Sequence, residues 1–314
     1  MSFSGEVKEE LSKHFNPARH CQIAEIAAMV HFCGKIEKKQ DGEPVLLLET
    51  ENEAVWRKCF TLLKKTFNID TSVMKKTLES AEKSVKLVIE LKNHDDVWNI
   101  FQTLKMVDKD GVFHGFEEPV DSLLIKNSCC RRAFLRGTFL CIGSMSNPAK
   151  GYHLEIVAPN EKQAEQIQEI LLDFDLDAKM IQRKKYFVVY LKEGACIVDF
   201  LNICEAHVSL MNLENLRIVK EMRNSINRRV NCEAANITKT VNAATKQIEE
   251  ITLLRDTYGF HNLPDNLRQM AEVRMEHPDS SLKELGQYLD PPVGKSGVNH
   301  RLRKLSQIAS DIRI

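Results

Sequence analysis

A chain of 314 residues with 43% hydrophobic content is long enough for roughly two domains with buried cores, which excludes wholesale disorder. Lysine plus arginine equals aspartate plus glutamate at 44 each, so any surface that attracts nucleic acid is confined to part of the chain. The opening residues lack the basic run and apolar core of a signal peptide, and no apolar stretch approaches the roughly 18 residues of a membrane span, so the expectation is a cytoplasmic protein without membrane contact.

Residues 21–34 are rich in small apolar side chains, hold no β-branched run and end in glycine, which predicts a buried helix closed by Gly34. Residues 45–51 read as a strand, Asn52 caps a helix through about Phe67, and residues 69–74 and 85–91 read as strands before a closing helix over 94–106. A second copy follows. Cys130, Ala133 and Gly143 repeat the register of Cys21, Ala24 and Gly34 at a constant offset of 109 residues, the signature of an internal duplication. After Gly143 come a strand at 153–157, a helix capped by Asn160 through about Phe174, strands at 176–182 and 186–191, and a helix over 195–206. Both units run α-β-β-α-β-β-α or close to it, and the small residues of their first helices predict that these two helices pack against one another.

Nine cysteines, at 21, 33, 59, 129, 130, 141, 196, 204 and 232, contain no CxxC pair, and the reading is of reduced, mostly buried thiols. His20, Cys21, His31 and Cys33 are metal-ligating types, but their spacing does not converge on one helix face. No metal site and no cofactor are expected.

Leu135-Arg-Gly-Thr-Phe-Leu-Cys-Ile-Gly143 is similar to the nine-residue LAGLIDADG motif of homing endonucleases, and Ile26-Ala-Ala-Met-Val-His-Phe-Cys-Gly34 is a weaker copy. In those enzymes the residue before the closing glycine is an acid that binds the catalytic divalent metal. Here Cys33 and Ile142 stand at those positions, and neither offers a hard oxygen ligand. The resemblance therefore implies the scaffold without catalytic residues. An active endonuclease with displaced acids such as Glu25 or Glu37 is the alternative, although neither acid has a symmetric counterpart in the second repeat.

From 212 to about 257 strand signals vanish, and the segment reads as a helical connector with an apolar stripe of Leu213, Leu216, Val219 and Met222. Asn224, Asn227 and Asn231 recur at i, i+3 and i+7 beside Arg223, Arg228 and Arg229. Two readings stand: a solvated helix surface, or a set of amides and guanidinium groups that bind phosphates or tie the connector to a neighbouring domain.

The residues from 263 onward are the most specific in the chain. A helix over 263–275 is opened by Pro264 and Asp265 and broken by Pro278, and a second over 280–289 carries Ser281 and Glu284 in a capping-box pattern. A third begins near Ser296 and places Val298, Leu302, Leu305 and Ala309 on one stripe. Ser296, Asn299, His300, Arg303, Lys304 and Gln307 point away from it, with Arg301 at its flank and Lys295 at its start. Residues 293–314 carry about +4 net charge, whereas the chain before residue 212 sits near −3. This is a helix-turn-helix pattern, in which the last helix is expected to enter the major groove of double-stranded DNA; the alternative is a small bundle whose exposed face happens to be basic. Gly294-Lys-Ser296 is not a phosphate-binding loop, because Leu289 stands where the upstream glycine is required and a helix precedes it.

Asn227-Arg-Arg-Val-Asn-Cys-Glu-Ala-Ala-Asn236, Leu263-Pro-Asp-Asn-Leu-Arg268, Ser281-Leu-Lys-Glu-Leu-Gly286 and the run from Pro291 to Lys304 resemble the WhiA family of bacterial regulators, with a match over nearly all of the chain. In that family a degenerate LAGLIDADG domain is joined to a helix-turn-helix similar to the promoter-reading part of sigma factors. The resemblance implies a nucleoid-associated DNA-binding regulator of cell division, chromosome segregation and, in spore formers, sporulation. The expected fold is α+β: duplicated LAGLIDADG-like units over 1–211 (repeats at about 20–107 and 128–207), a helical connector over 212–258 and an all-α helix-turn-helix domain over 259–314. The negative balance before residue 212 weakens DNA contact there and makes a protein partner on the duplicated domain plausible. A protein-interaction regulator with incidental DNA binding is the remaining alternative.

Overall fold

Asparagine side chains cap three helices of the duplicated region. Asn52 accepts from the N–H groups of Ala54 and Val55, Asn93 from Asp95 and Asp96, and Asn160 from Gln163. The computed structural model describes residues 2–38, 44–69, 78–79 and 85–312. They divide into two compact units, Met1–Lys220 and Glu221–Ile314.

In the first unit α1 (Phe3–Lys13) precedes one repeat: α2 (Arg19–Cys33), β1 (Gly34–Lys38), β2 (Pro44–Thr50), α3 (Glu53–Phe67), β3 (Leu78–Glu79), β4 (Val85–Leu91) and α4 (His94–Thr103). The second repeat comprises α5 (Ser128–Ile142), β5 (Gly143–Met145), β6 (Leu154–Ala158), α6 (Glu161–Leu172), β7 (Lys179–Arg183), β8 (Tyr186–Leu191) and α7 (Gly194–Ile203). The two antiparallel sheets have the same strand order, β1-β2-β4-β3 and β5-β6-β8-β7, which bears out the duplication. The first strand of each repeat starts at the closing glycine itself. Of the strand expected at 69–74, residues 70–74 lie outside the described residues.

α2 and α5 pack side by side, and beyond their exposed first two residues each is buried or half-buried on every face. That is why neither reads as amphipathic. Their approach is close: a Cβ at Gly137 would stand 2.7 Å from the Glu25 carbonyl oxygen and 3.0 Å from the Ala28 Cβ. The closing glycines work in the same steric way. Gly34 and Gly143 have φ of −80° and −88°, not the left-handed backbone of a glycine C-cap, and a Cβ on either would collide with its neighbours, Val30 and Phe116 or Phe139.

α8 (His207–Thr257) is one continuous helix of 51 residues. The stripe expected on it is not a buried face: only Leu213 is covered, while Leu216, Val219 and Met222 are 37%, 43% and 60% exposed. The periodicity reported a helix but not a partner.

The second unit continues from Glu221 through a 3-10 turn at Phe260–Asn262 to α9 (Asp265–Glu276), α10 (Leu282–Gln287) and α11 (Lys295–Ile312). Its core joins Ile251 and Leu254 of α8 to Leu267, Met270, Leu285, Leu289, Val298, Leu302 and Leu305. The capping box of α10 is complete, with Ser281 Oγ accepting from the Glu284 N–H and the Glu284 carboxylate from the Ser281 N–H. Between α10 and α11 the chain doubles back so tightly that the Val293 N–H donates to the Gly286 carbonyl at 2.9 Å, and a Cβ on Gly286 would fall 2.0 Å from the Val293 oxygen.

Candidate nucleic-acid interface

The helix-turn-helix geometry of α10 and α11 fixes which side chains of α11 face outward. Val298, Leu302, Leu305 and Ala309 are buried at 2% exposure or less. Lys295, Ser296, His300, Arg303, Lys304 and Gln307 are exposed, and Asn299 and Arg301 are half-buried. Lys295, Arg303 and Lys304 have no ion-pair partner among the described residues, so their charges face solvent. Arg301 differs: its guanidinium donates to the Asn266 carbonyl at 3.4 Å and so links α11 to α9.

A cavity of about 500 Å³ borders the start of α11, lined among others by Lys239, Arg274, Ser280, Lys283, Lys295 and Asn299. Three lysines and an arginine on one concavity suit an anion. Arg274 is its buried member, donating to the Ser280 carbonyl at 2.7 Å. Burial lowers its pKa, opposed by Asp279. Asn224, Asn227, Arg228 and Asn231 are all exposed on α8, and no hydrogen bond or ion pair among the described residues joins them to α11. Arg229, beside them, pairs with Glu233 at 3.1 Å.

At the far ends of α2 and α5, Cys33 and Ile142 are half-buried. The groove beside Cys33 is lined by Lys8, Glu49, Glu51, Asn52, Leu140 and Cys141. A thiol and a branched alkyl chain do not fit the hard divalent cation that phosphodiester cleavage on this scaffold requires. Glu49 is held by Lys35 at 2.9 Å and Lys86 at 3.7 Å.

The displaced acids do not supply a replacement centre. Glu25 is fully buried, with Lys58 Nζ at 3.0 Å, Arg136 Nε at 3.1 Å and Arg136 Nη2 at 3.4 Å, so both of its oxygens are engaged. Lys58 also donates to the carbonyls of Leu11 and His14, and Arg136 reaches Glu205 at 2.5 Å. Burial lowers the Lys58 pKa, and Glu25 only partly offsets this. For Arg136 burial is the largest single effect and acts in the same direction, but Glu25, Cys204 and Glu205 together outweigh it and the pKa ends above its usual value. Glu37 is exposed on β1.

The grouping of His20, Cys21, His31 and Cys33 does not form, because His31 is buried and its Nδ1–H donates to the Ala27 carbonyl at 2.8 Å. A different cluster forms instead, of His20, Cys21, Cys129 and Cys130. Spacing within either repeat does not show it. The 109-residue offset does, since it pairs position 20 with 129 and 21 with 130.

Three family models match the chain in succession: the WhiA N-terminal LAGLIDADG-like domain over residues 19–107, the WhiA LAGLIDADG-like domain over 131–223 and the WhiA C-terminal HTH domain over 226–309. A probable cell division protein WhiA of Lachnoclostridium phytofermentans is 53% identical, with all of both chains covered. One of Alkaliphilus oremlandii is 44% identical, covering all of this chain and 98% of its own. The crystal structure of full-length DUF199/WhiA from Thermatoga maritima matches with a TM-score of 0.59 at 26% identity over 99% of each chain. With three models in order along it and such relatives spanning its whole length, the chain belongs to the WhiA family.

Proposed function

We propose that this protein is a non-enzymatic, sequence-specific DNA-binding protein, a cytoplasmic, nucleoid-associated transcriptional regulator acting in cell division, chromosome segregation and, in spore formers, sporulation. The observation that carries the reading is α11, where a fully buried stripe is backed by a face of unpaired cations and amides within a helix-turn-helix. Asn299, His300, Arg303 and Gln307 are the base-reading set, and Lys295, Ser296, Arg301 and Lys304 the set that engages phosphate and fixes register. Relatives named as probable cell division proteins support the cellular role. The duplicated units over 1–211 serve as a platform for a protein partner, joined by the connector over 212–258 to the reading domain over 259–314.

Binding of duplex DNA by the full chain, compared with a folded Arg301, Arg303, Lys304 triple alanine variant, tests this. The variant is expected to lose most of its affinity and to show a shallower salt dependence. Unchanged affinity and salt slope would move the contact to the face of Asn224, Asn227, Arg228 and Asn231.

A further inference from the structure

The first turns of α2 and α5 bring His20, Cys21, Cys129 and Cys130 together, with their ligating atoms all within 4.8 Å of one another. His20 Nδ1 stands 3.2 Å from Cys130 Sγ, 3.3 Å from Cys21 Sγ and 4.0 Å from Cys129 Sγ. Around a tetrahedral ion with metal–sulfur bonds of about 2.3 Å and a metal–nitrogen bond of about 2.0 Å, the sulfur–nitrogen edges come to about 3.5 Å. The three separations bracket that edge. The duplication accounts for the convergence: the same two consecutive positions in each repeat face one another where the paired helices begin. Cys21 and Cys130 form the floor with Ala24 and Ala133, while His20 and Cys129 are exposed and leave a route of entry.

We propose that His20, Cys21, Cys129 and Cys130 form a Cys3His site for a structural Zn2+ ion that ties the two repeats together at the start of their central helices. Three sulfurs and an imidazole nitrogen select a borderline-soft cation over Mg2+ or Ca2+. Four protein ligands fill a tetrahedral shell, so the ion has no open position for a substrate, and its role is structural. Coordination moves the three thiol protons to water and leaves three thiolates and a neutral imidazole on the metal. The same atoms without a metal are those of a disulfide between two of the thiols, and the experiment separates the two.

The full-length protein, purified reduced and without chelator, is assayed for zinc per chain and then reloaded with Co2+, whose absorption reports both thiolate ligation and tetrahedral geometry. His20→Ala and Cys129→Ser are the principal variants because both side chains are exposed and their loss leaves the core intact, which circular dichroism verifies. Cys232→Ser, at an exposed cysteine of α8, is the control. The expected result is about one zinc per chain in the wild type and the control, with the tetrahedral Co2+ spectrum, and affinity weaker by tenfold or more in both principal variants. A chelator should lower the unfolding temperature of the wild type by more than that of Cys129→Ser. Reduced wild-type protein that takes up no zinc, zinc affinity undiminished in both variants, or thiol titration showing two of these cysteines joined as a disulfide would each overturn the proposal.

Discussion

Glu25 is the residue on which the first unit's interior charge depends. Lys58 and Arg136 lie at 0% and 1% side-chain exposure, and both direct their charge at its carboxylate. Removing one partner of such a set leaves buried charge uncompensated, so Glu25→Ala is expected to destabilise the first unit by about 3–5 kcal/mol. Replacing Glu25, Lys58 and Arg136 together by apolar side chains of similar volume should recover much of that loss. Tryptophan fluorescence reads this unit alone, because Trp56 and Trp98 are the chain's two tryptophans and both lie within Met1–Lys220. An unfolding midpoint that barely moves in Glu25→Ala would remove the network from the account of stability. His31 adds a pH dependence. Burial lowers its pKa, with the Ala27 hydrogen bond only partly opposing, and His14 is lowered too, by burial and then Arg136. As pH falls through about 6.5 the unfolded chain takes up protons that the folded unit refuses, so stability declines toward acid and is flat above that range. One wholly excluded proton gives a slope of up to about 1.4 kcal/mol per pH unit. In His31→Gln the slope between pH 5 and 7 should be shallower than in the wild type, and an identical slope would assign the acid sensitivity to other groups. None of this was legible in sequence, where Glu25 was open to a role as a displaced catalytic acid. Lys58 and Arg136 meet it only in three dimensions, from 33 and 111 residues away.

Single elements were far more legible, because their signals are local. Asn52 and Asn160 announced their helices through side chains that satisfy first-turn N–H groups, and Ser281 with Glu284 announced α10. α11 was readable to its faces, since the spacing of Val298, Leu302, Leu305 and Ala309 holds in the structure. Packing partners were readable where small residues marked them, as between α2 and α5, but not on α8, where the same kind of spacing marked a stripe that is largely exposed, and the closing glycines proved to be places of steric clearance. The faces of α11 support separable predictions. Arg303→Ala and Asn299→Ala should each cost about 1–3 kcal/mol on the preferred duplex and relax its sequence preference. Lys295→Ala and Lys304→Ala should weaken all duplexes alike and reduce the salt slope by about one unit each. Because Arg301 is bonded to Asn266, Arg301→Ala should also loosen α11 from α9, which a lower unfolding temperature would reveal. Leu302→Asp should abolish binding by another route, with lost helicity, since it places a carboxylate in the core. Equal losses on preferred and unrelated duplexes for Arg303→Ala would assign that residue to phosphate.

On the scale of the whole molecule, neutrality conceals a division of charge. The chain before residue 212 is near −3, and the last 22 residues are near +4. A unit that gripped DNA through its sheets would need a basic balance there, so the charge argues against that mode of binding. Its chemistry has shifted in parallel. Cys33 and Ile142 stand where oxygen ligands are needed, Glu25 is consumed by Lys58 and Arg136, and Glu49 is held by two lysines. Pure protein is therefore expected to leave supercoiled plasmid uncut in Mg2+ or Mn2+, while still retarding duplex DNA through its second unit. Because neither central helix carries an acid before its closing glycine, one new carboxylate supplies too few oxygen ligands for a hard divalent cation. Cys33→Asp alone, or Ile142→Asp alone, should remain inactive, and the pair should at most bind Mn2+ weakly at the Cys33 groove. Nicking by the wild type that disappears on Glu49→Gln or Glu51→Gln would reverse the assignment, locating a working centre in that groove and making the second unit a targeting module for an enzyme.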